Sequence, residues 1–299
     1  MDQLQYGGRA TAPRAKVSIP DLLAAKRAGK RFTMLTAYDV PTARLVEEAG
    51  IDVILVGDSV GNVVLGYSST VPVTMDQMVH HAAAVSRGAS RPLLIGDLPF
   101  GSYQASIPDA IRSATRFLKE AGMDAVKLEG GAEVVETVRA LTSSGIAVMG
   151  HLGLTPQRQA MLGGLKVQAK TADAARRLID DALALEDAGA FAVVLEAVPA
   201  QVAAMVTARL AIPTIGIGAG TSCDAQVLVL HDVLGLAGDF KPKFAKRYLE
   251  LAPAIVEALR TYDAEVRSGA FPGDEHSFHM KESELDSLER APAAKPHAV

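Results

Sequence analysis

The sequence holds one cysteine, Cys223, and no tryptophan among its 299 residues. A lone cysteine excludes an intrachain disulfide, so a hydrophobic core must hold the fold, and a reducing, cytoplasmic setting is expected. Aromatic residues make up 5% of the chain, too few for a base-stacking surface. An excess of one charge is also missing: 30 Lys and Arg stand against 34 Asp and Glu, mixed along the chain, for a formal net charge of −4. With no basic patch, nucleic acid is not an expected partner. No apolar run approaches the ~20 residues that cross a bilayer, so no membrane association is expected. Residues 1–16 have no apolar h-region and read as a loose polar segment rather than a secretory signal. Residues 280–299, charged and then rich in Ala and Pro, read as a disordered, solvated tail.

What the sequence has in quantity is hydrophobic residues, 49% of the chain, arranged as short runs that alternate with amphipathic stretches. The runs are Phe32–Thr36, Val53–Val56, Leu93–Ile95, Ala125–Leu128, Ala147–Met149, Ala192–Leu195, Thr214–Ile217 and Val227–Leu230. Apolar runs of this length without polar alternation suit strands buried on both faces of a parallel sheet. Between them, helical patterns at Pro41–Ala49, Met75–Arg87, Pro108–Ala121, Ala132–Ser144 and Ala172–Ala188 are each followed by a glycine, at 50, 88, 122, 145 and 189. Glycine there suits a left-handed C-cap. Eight strand–helix units favour closure into a (β/α)8 TIM barrel, one domain over residues 17–279. Ser18–Gly29 reads as an extra N-terminal helix, with Ser18 as N-cap and Asp21 three residues on, placed to plug the bottom of the barrel.

Barrel chemistry sits at the C-terminal ends of the strands. There the sequence puts Asp58 after the second run, Asp97 after the third, Lys127 and Glu129 at the fourth, His151 after the fifth and Glu196 after the sixth. One strand-end Asp reads equally well as a helix cap. Asp58, Asp97 and Glu129 together, from three successive strands, make a carboxylate cluster that a hard divalent cation such as Mg²⁺ would relieve. Zinc is disfavoured because the rim lacks a two-His or Cys set. Glu196, ending an apolar run, suits proton transfer. Lys127 lies on the same strand face as Glu129 and suits either a substrate oxyanion or an ion pair with the carboxylates. His151 reads as a cap or core histidine as readily as a functional one. The glycine run Gly216–Gly220 lacks the spacing of a dinucleotide fingerprint and reads as tight backbone packing.

Long ordered strings carry a resemblance: TAYD at Thr36–Asp39, LVGDSVGNVVLGY at Leu55–Tyr67, GDLPFGSY at Gly96–Tyr103 and VKLEGG at Val126–Gly131. They continue with GHLGLTPQ at Gly150–Gln157, VLEAVP at Val194–Pro199, IGIGAG at Ile215–Gly220, PKFAK at Pro242–Lys246 and FPGDEHSFH at Phe271–His279. The chain resembles the ketopantoate hydroxymethyltransferase family from roughly Val17 to His279. The resemblance implies a cytoplasmic, Mg²⁺-dependent homo-oligomer, a decamer in the family, that transfers a hydroxymethyl group from 5,10-methylenetetrahydrofolate to 3-methyl-2-oxobutanoate in pantothenate biosynthesis. It further implies that Asp58, Asp97 and Glu129 serve the metal, Glu129 directly or through a water. Asp58, Ser59, Asp97 and Lys127 would contact the keto acid, and Glu196 would be the base. At Gly66–Thr70 the sequence reads GYSST, where many members carry His and an acidic residue in the second and third places.

Two other readings stand beside this one. A Mg²⁺-dependent lyase of the phosphoenolpyruvate/isocitrate-lyase type would use the same enolate chemistry, but such lyases depend on a reactive cysteine in a mobile loop, and Cys223 lies in GTSCDAQ. A catalytically silent, ligand-binding barrel would not be expected to keep Asp58, Asp97, Lys127, Glu129 and Glu196 together.

Overall fold

A computed structural model of the chain describes residues 15–236 and 242–290. Eight strands, β1 (Phe32–Thr36), β2 (Val53–Val56), β3 (Leu93–Asp97), β4 (Ala125–Glu129), β5 (Val148–Gly153), β6 (Ala192–Glu196), β7 (Thr214–Ile217) and β8 (Ala225–Leu228), close in sequence order into a parallel barrel. β1 and β8 complete the ring, with Phe32 opposite Ala225 and Leu35 opposite Leu228. The helices of this unit are α1 (Ile19–Arg27), α2 (Val40–Glu48), α3 (Val60–Val63), α4 (Met75–Gly88), α5 (Ile107–Ala121), α6 (Val135–Ser143), α7 (Gln159–Leu162), α8 (Ala172–Asp187), α9 (Ala200–Arg209) and α10 (Leu230–Leu234). The (β/α)8 architecture expected from the alternation is the one formed.

Strand boundaries differ from the sequence reading in two informative ways. β3, β4 and β6 extend to Asp97, Glu129 and Glu196, so these carboxylates end the strands rather than follow them. β8 ends at Leu228, two residues early, because Leu230 turns into α10 and gives its N–H to Thr36 Oγ1 at 3.0 Å.

The apolar side chains fall into two clusters. One fills the space between strands and helices. The other lies inside the barrel, where Phe32, Met34, Val53, Leu93, Ile95, Met149, Val194, Ile215 and Val227 meet Leu22 of α1. α1 therefore closes the N-terminal end, leaving the other end for polar residues. Its start is fixed as expected, Ser18 N–H donating to Asp21 Oδ2 at 2.8 Å.

Of the five expected C-cap glycines, Gly50, Gly122, Gly145 and Gly189 have positive φ, and Gly88 does not. Gly88 is the last residue of α4, and a Cβ there would lie 2.6 Å from Val40 O and 2.9 Å from Ala43 Cβ. Its job is to let α4 approach α2.

A second unit begins at Glu250, so the barrel unit runs to Leu249 where the sequence reading carried it to His279. This second unit contains helix Leu251–Ser268, a 3-10 turn at Asp274–His276 and helix Glu282–Arg290. The last helix occupies part of the stretch read as disordered; its first turn carries Glu282 and Glu284, and Arg290 reaches back to Asp286, both favourable for a helix. Residues 1–14 of the expected loose segment and 291–299 of the expected tail lie outside the described residues. Among the described residues no helix is long and apolar enough to cross a membrane.

The approach of α4 to α2 generates a test. Gly88→Ala adds about 1 kcal/mol of helix propensity, but overpacking against the backbone of Val40 costs roughly 1–3 kcal/mol. Urea denaturation is expected to show a net loss of stability; a gain would mean that the helices separate freely here.

Candidate active site

Strand register explains why the charged residues meet. In the barrel, paired residues on neighbouring strands face the same side, and so do residues two apart on one strand. Asp97 pairs with Lys127, and Lys127 lies two residues before Glu129. Glu129 pairs with His151, His151 lies two residues before Gly153, and Gly153 pairs with Glu196. One inward face therefore carries Asp97, Lys127, Glu129, His151 and Glu196 in a continuous layer over the apolar interior.

The contacts follow this order. Lys127 Nζ donates to Asp97 Oδ1 at 2.6 Å, and both side chains are buried. Asp97 Oδ2 accepts from the Asp58 N–H at 3.2 Å, which joins the second strand's rim to the third. His151 bridges two carboxylates, with Nδ1 3.2 Å from Glu129 Oε1 and Nε2 3.2 Å from Glu196 Oε2. Neither contact has the alignment of a hydrogen bond, so these are charge contacts. Gly153, beside Glu196, has no side chain to intervene; a Cβ there would lie 2.2 Å from Glu196 O.

Burial in the layer sets the protonation of its groups. Burial pushes the Asp97 carboxyl up to about 6, with Lys127 opposing. Burial and then the negative charge of Glu129 raise Asp58 as well. Burial works against the Lys127 ammonium, but Asp97, Glu129 and Asp58 together outweigh it and hold its pKa above the ordinary value. Burial and Lys127 likewise oppose a charged His151, yet its two carboxylate neighbours raise it to about 9.

Each residue singled out in the sequence lines one cavity of about 650 Å³ at the C-terminal end of the barrel: Asp58, Ser59, Asp97, Lys127, Glu129 and Glu196. Ser59 Oγ lies 2.8 Å from the hydroxyl of the buried Tyr38. Glu196 is the most open of the layer's carboxylates, its side chain 16% exposed. The apolar collar expected around it is interrupted by His151. The next residue, Ala197, adopts φ 46°, a left-handed conformation costly for any residue with a Cβ. Two backbone bonds hold it there, Ala197 N–H to Ile217 O at 2.8 Å and Gln168 N–H to Ala197 O at 2.9 Å. Strain of this kind fixes where the Glu196 carboxylate stands.

His151, placed at the rim by the sequence but left open between a structural and a functional role, proves central to the layer; a second residue escaped the sequence reading. Gln157, in a 3-10 turn after β5, is buried and reaches across the rim: its Nε2 donates to Asp58 Oδ2 at 3.0 Å and to Leu98 O at 2.9 Å. Its backbone N–H donates to Glu129 Oε2 at 3.1 Å, and its Oε1 accepts from Tyr103 OH at 2.9 Å. One residue thus orients two carboxylates from different strands. No signal beyond its place in the GHLGLTPQ string pointed to it.

Cys223 is buried and is not among the cavity-lining residues, which removes the reactive cysteine that a lyase reading needs. The glycine run packs tightly, as read: a Cβ on Gly218, at φ 66°, would lie 2.9 Å from the Phe244 ring.

The His151 contacts give a pH dependence. Its pKa in the fold, about 9, lies above the ordinary 6.5, so its contribution to stability is complete below 6.5 and is lost as pH rises through 9. In metal-free protein, denaturation between pH 6.5 and 9 should show stability falling for the wild type and a flatter profile for His151→Gln. Parallel profiles would mean that His151 is not charged in the layer.

The ketopantoate hydroxymethyltransferase family profile matches residues 16–274. The chain is 59% identical over 265 residues to the 3-methyl-2-oxobutanoate hydroxymethyltransferase of Heliobacterium modesticaldum, covering 89% of this chain and 96% of that protein. It is 59% identical over 250 residues to the enzyme of the same name from Thermus thermophilus, covering 84% and 95%. Among solved structures, phosphonopyruvate hydrolase superposes with a TM-score of 0.58 at 15% identity, covering 93% of this chain and 96% of that one. A 2,3-dimethylmalate lyase follows at 0.54 and 17%, covering 93% and 96%. At these identities the two structures speak for the fold alone. The sequence match over nearly the whole barrel, together with a rim whose charged residues all converge, places the chain in the ketopantoate hydroxymethyltransferase family.

Proposed function

We propose that the protein transfers a hydroxymethyl group from 5,10-methylenetetrahydrofolate to 3-methyl-2-oxobutanoate, giving ketopantoate and tetrahydrofolate, with Mg²⁺ bound at the rim. The observation that carries this reading is the charged layer itself, which sets a proton acceptor, Glu196, and a fixed cation, Lys127, in one cavity with a carboxylate cluster.

The residues fit a divalent ion. The layer and Asp58 bring four carboxylates together with two cations, Lys127 and His151, which leaves two negative charges. Glu129 Oε1 is buried without a hydrogen bond. Among the described residues no three His, Cys, Asp or Glu side chains are close enough to enclose a metal. Mg²⁺ needs few protein carboxylates and keeps several places for water and substrate oxygens, so it would not require such a group. Asp58, Asp97 and Glu129 would hold the ion, Glu129 directly through its Oε1 or by way of a water. When bound, Mg²⁺ supplies positive charge beside the keto and carboxylate oxygens of the substrate.

The chain's own residues account for the rest. Ser59, Asp58, Asp97 and Lys127 would orient the α-keto acid. The Glu196 carboxylate takes the proton as the C3–H bond breaks, and the electron pair moves toward the keto oxygen. Lys127, fixed by Asp97, faces that developing charge without needing to move. C3 then bonds to the methylene carbon as that carbon's bonds to N5 and N10 of the donor break; one water supplies the product hydroxyl, and the water's other proton and the one held by Glu196 pass to the two freed nitrogens of tetrahydrofolate. His151, held charged by its two carboxylate neighbours, stands 3.2 Å from Glu196 Oε2 and would help to orient that carboxylate.

With 3-methyl-2-oxobutanoate and Mg²⁺ in D₂O, NMR should show exchange of the C3 hydrogen, reduced by about 10²-fold or more in Glu196→Gln. Bound keto acid that never exchanges in the wild type would sink the enolisation step. The donor is tested separately: ketopantoate should form with 5,10-methylenetetrahydrofolate and not when the folate is omitted.

A further inference from the structure

The cavity is larger than a five-carbon acid requires, and its two halves differ in chemistry. The charged layer comes from the ends of β3 to β6, with Asp58 after β2. Across the ring, the wall after β7 and β8 is apolar, formed by Val229, Leu236, Pro242 and Phe244, with Leu165 beside them. Among the described residues five carboxylates line the cavity, and four belong to the charged half: Asp58, Asp97, Glu129 and Glu196. The fifth, Asp232, is the one among these that lies in the apolar half.

Asp232 lies in the short helix α10, half-buried, where burial raises its pKa and the charge of Arg247 opposes that rise. Its charge acts on the buried Tyr38 hydroxyl, which lies 2.8 Å from the cavity-lining Ser59 Oγ. Asp39, the acid at the neighbouring end of β1, is spent as a helix cap, accepting from Thr42 N–H at 2.8 Å. Phe244 is 39% exposed and rests on Gly218, where the missing Cβ lets its ring sit against the rim.

A half-buried carboxylate among apolar walls, with an aromatic ring at the mouth, is a defined recognition surface. A carboxylate offers two parallel acceptors, and it matches a planar ligand edge that presents two adjacent N–H donors. A flat ring system packs on the apolar wall and the aromatic face. A pterin has both features: an amide N–H beside an amino group on one edge of a fused ring. 3-Methyl-2-oxobutanoate has neither, and as an anion it is repelled by Asp232.

We infer that Asp232 recognises the pterin of the one-carbon donor, accepting hydrogen bonds from its ring N–H and its amino group, while Phe244 and Leu236 flank the ring. This rests on the folate reading above and adds to it the residue and the ligand edge. It also orients the donor: with the pterin anchored after β8, the methylene group would reach past β7 toward Glu196 at the end of β6.

The test is calorimetric titration of full-length protein with tetrahydrofolate and with a tetrahydropteridine lacking the 2-amino group. Wild type should bind tetrahydrofolate and discriminate against the desamino compound. Asp232→Asn, which loses the charge and one acceptor, should weaken tetrahydrofolate roughly 10- to 100-fold and bind the desamino compound as the wild type does. In steady state, KM for the donor should rise while KM for the keto acid stays within about twofold. Equal tetrahydrofolate affinity in wild type and Asp232→Asn overturns the assignment. So does a wild type indifferent to the 2-amino group, a measurement that stands even where the variant folds poorly. A wild type that exchanges the keto-acid hydrogen but binds no tetrahydrofolate overturns the folate reading itself, and the assignment with it.

Discussion

The ion pair between Lys127 and Asp97 is the interaction on which the rim depends. Carboxylates at strand ends inside a barrel are expensive, because burial removes water that would stabilise each charge. Lys127 is the only lysine in the layer, and its ammonium lies 2.6 Å from Asp97. Without it Asp97 and Asp58, which burial already pushes up, would lose the positive charge that opposes that rise. A protonated Asp97 or Asp58 is a poor metal ligand. In the proposed reaction the same ammonium would meet the charge that develops on the substrate oxygen. Its place is dictated by the pairing of β3 with β4.

Around that pair the structure adds fixed geometry. Gln157 and Tyr103 tie the rims of β2, β4 and β5 together with hydrogen bonds to Asp58, to Glu129 and to each other. His151 connects Glu129 to Glu196. Glu196 is thereby coupled to the carboxylate cluster through one imidazole, and a change of charge on either side is felt on the other.

Much of this was legible in the sequence because barrel strands obey a simple parity. Alternating runs gave the eight strands and the extra helix, and each polar residue at a run's end fell on the rim. What parity across strands would add, the sequence does not print: register is a property of pairs. That is why His151 was ambiguous until it stood opposite Glu129, and why Gln157, which acts through three different strand ends, had no local signature. Gly88 failed as a cap for a related reason, since its role is set by α2 and not by its own helix. β8 was misplaced because LVLHD serves a strand and a helix equally, and a hydrogen bond from Leu230 to Thr36, 194 residues away, decides between them.

The vacancy at Gly153 carries a consequence for how this site tolerates change. The position faces the layer but contributes no atom to it beyond the backbone. Any side chain there would collide with the carbonyl of Glu196 and drive β5 and β6 apart at their ends. His151 would then lose touch with Glu196, although both residues would remain unaltered. A mutational survey that scored only charged residues would pass over this glycine. The distance between acid and imidazole is nevertheless set by the room left where a side chain is missing.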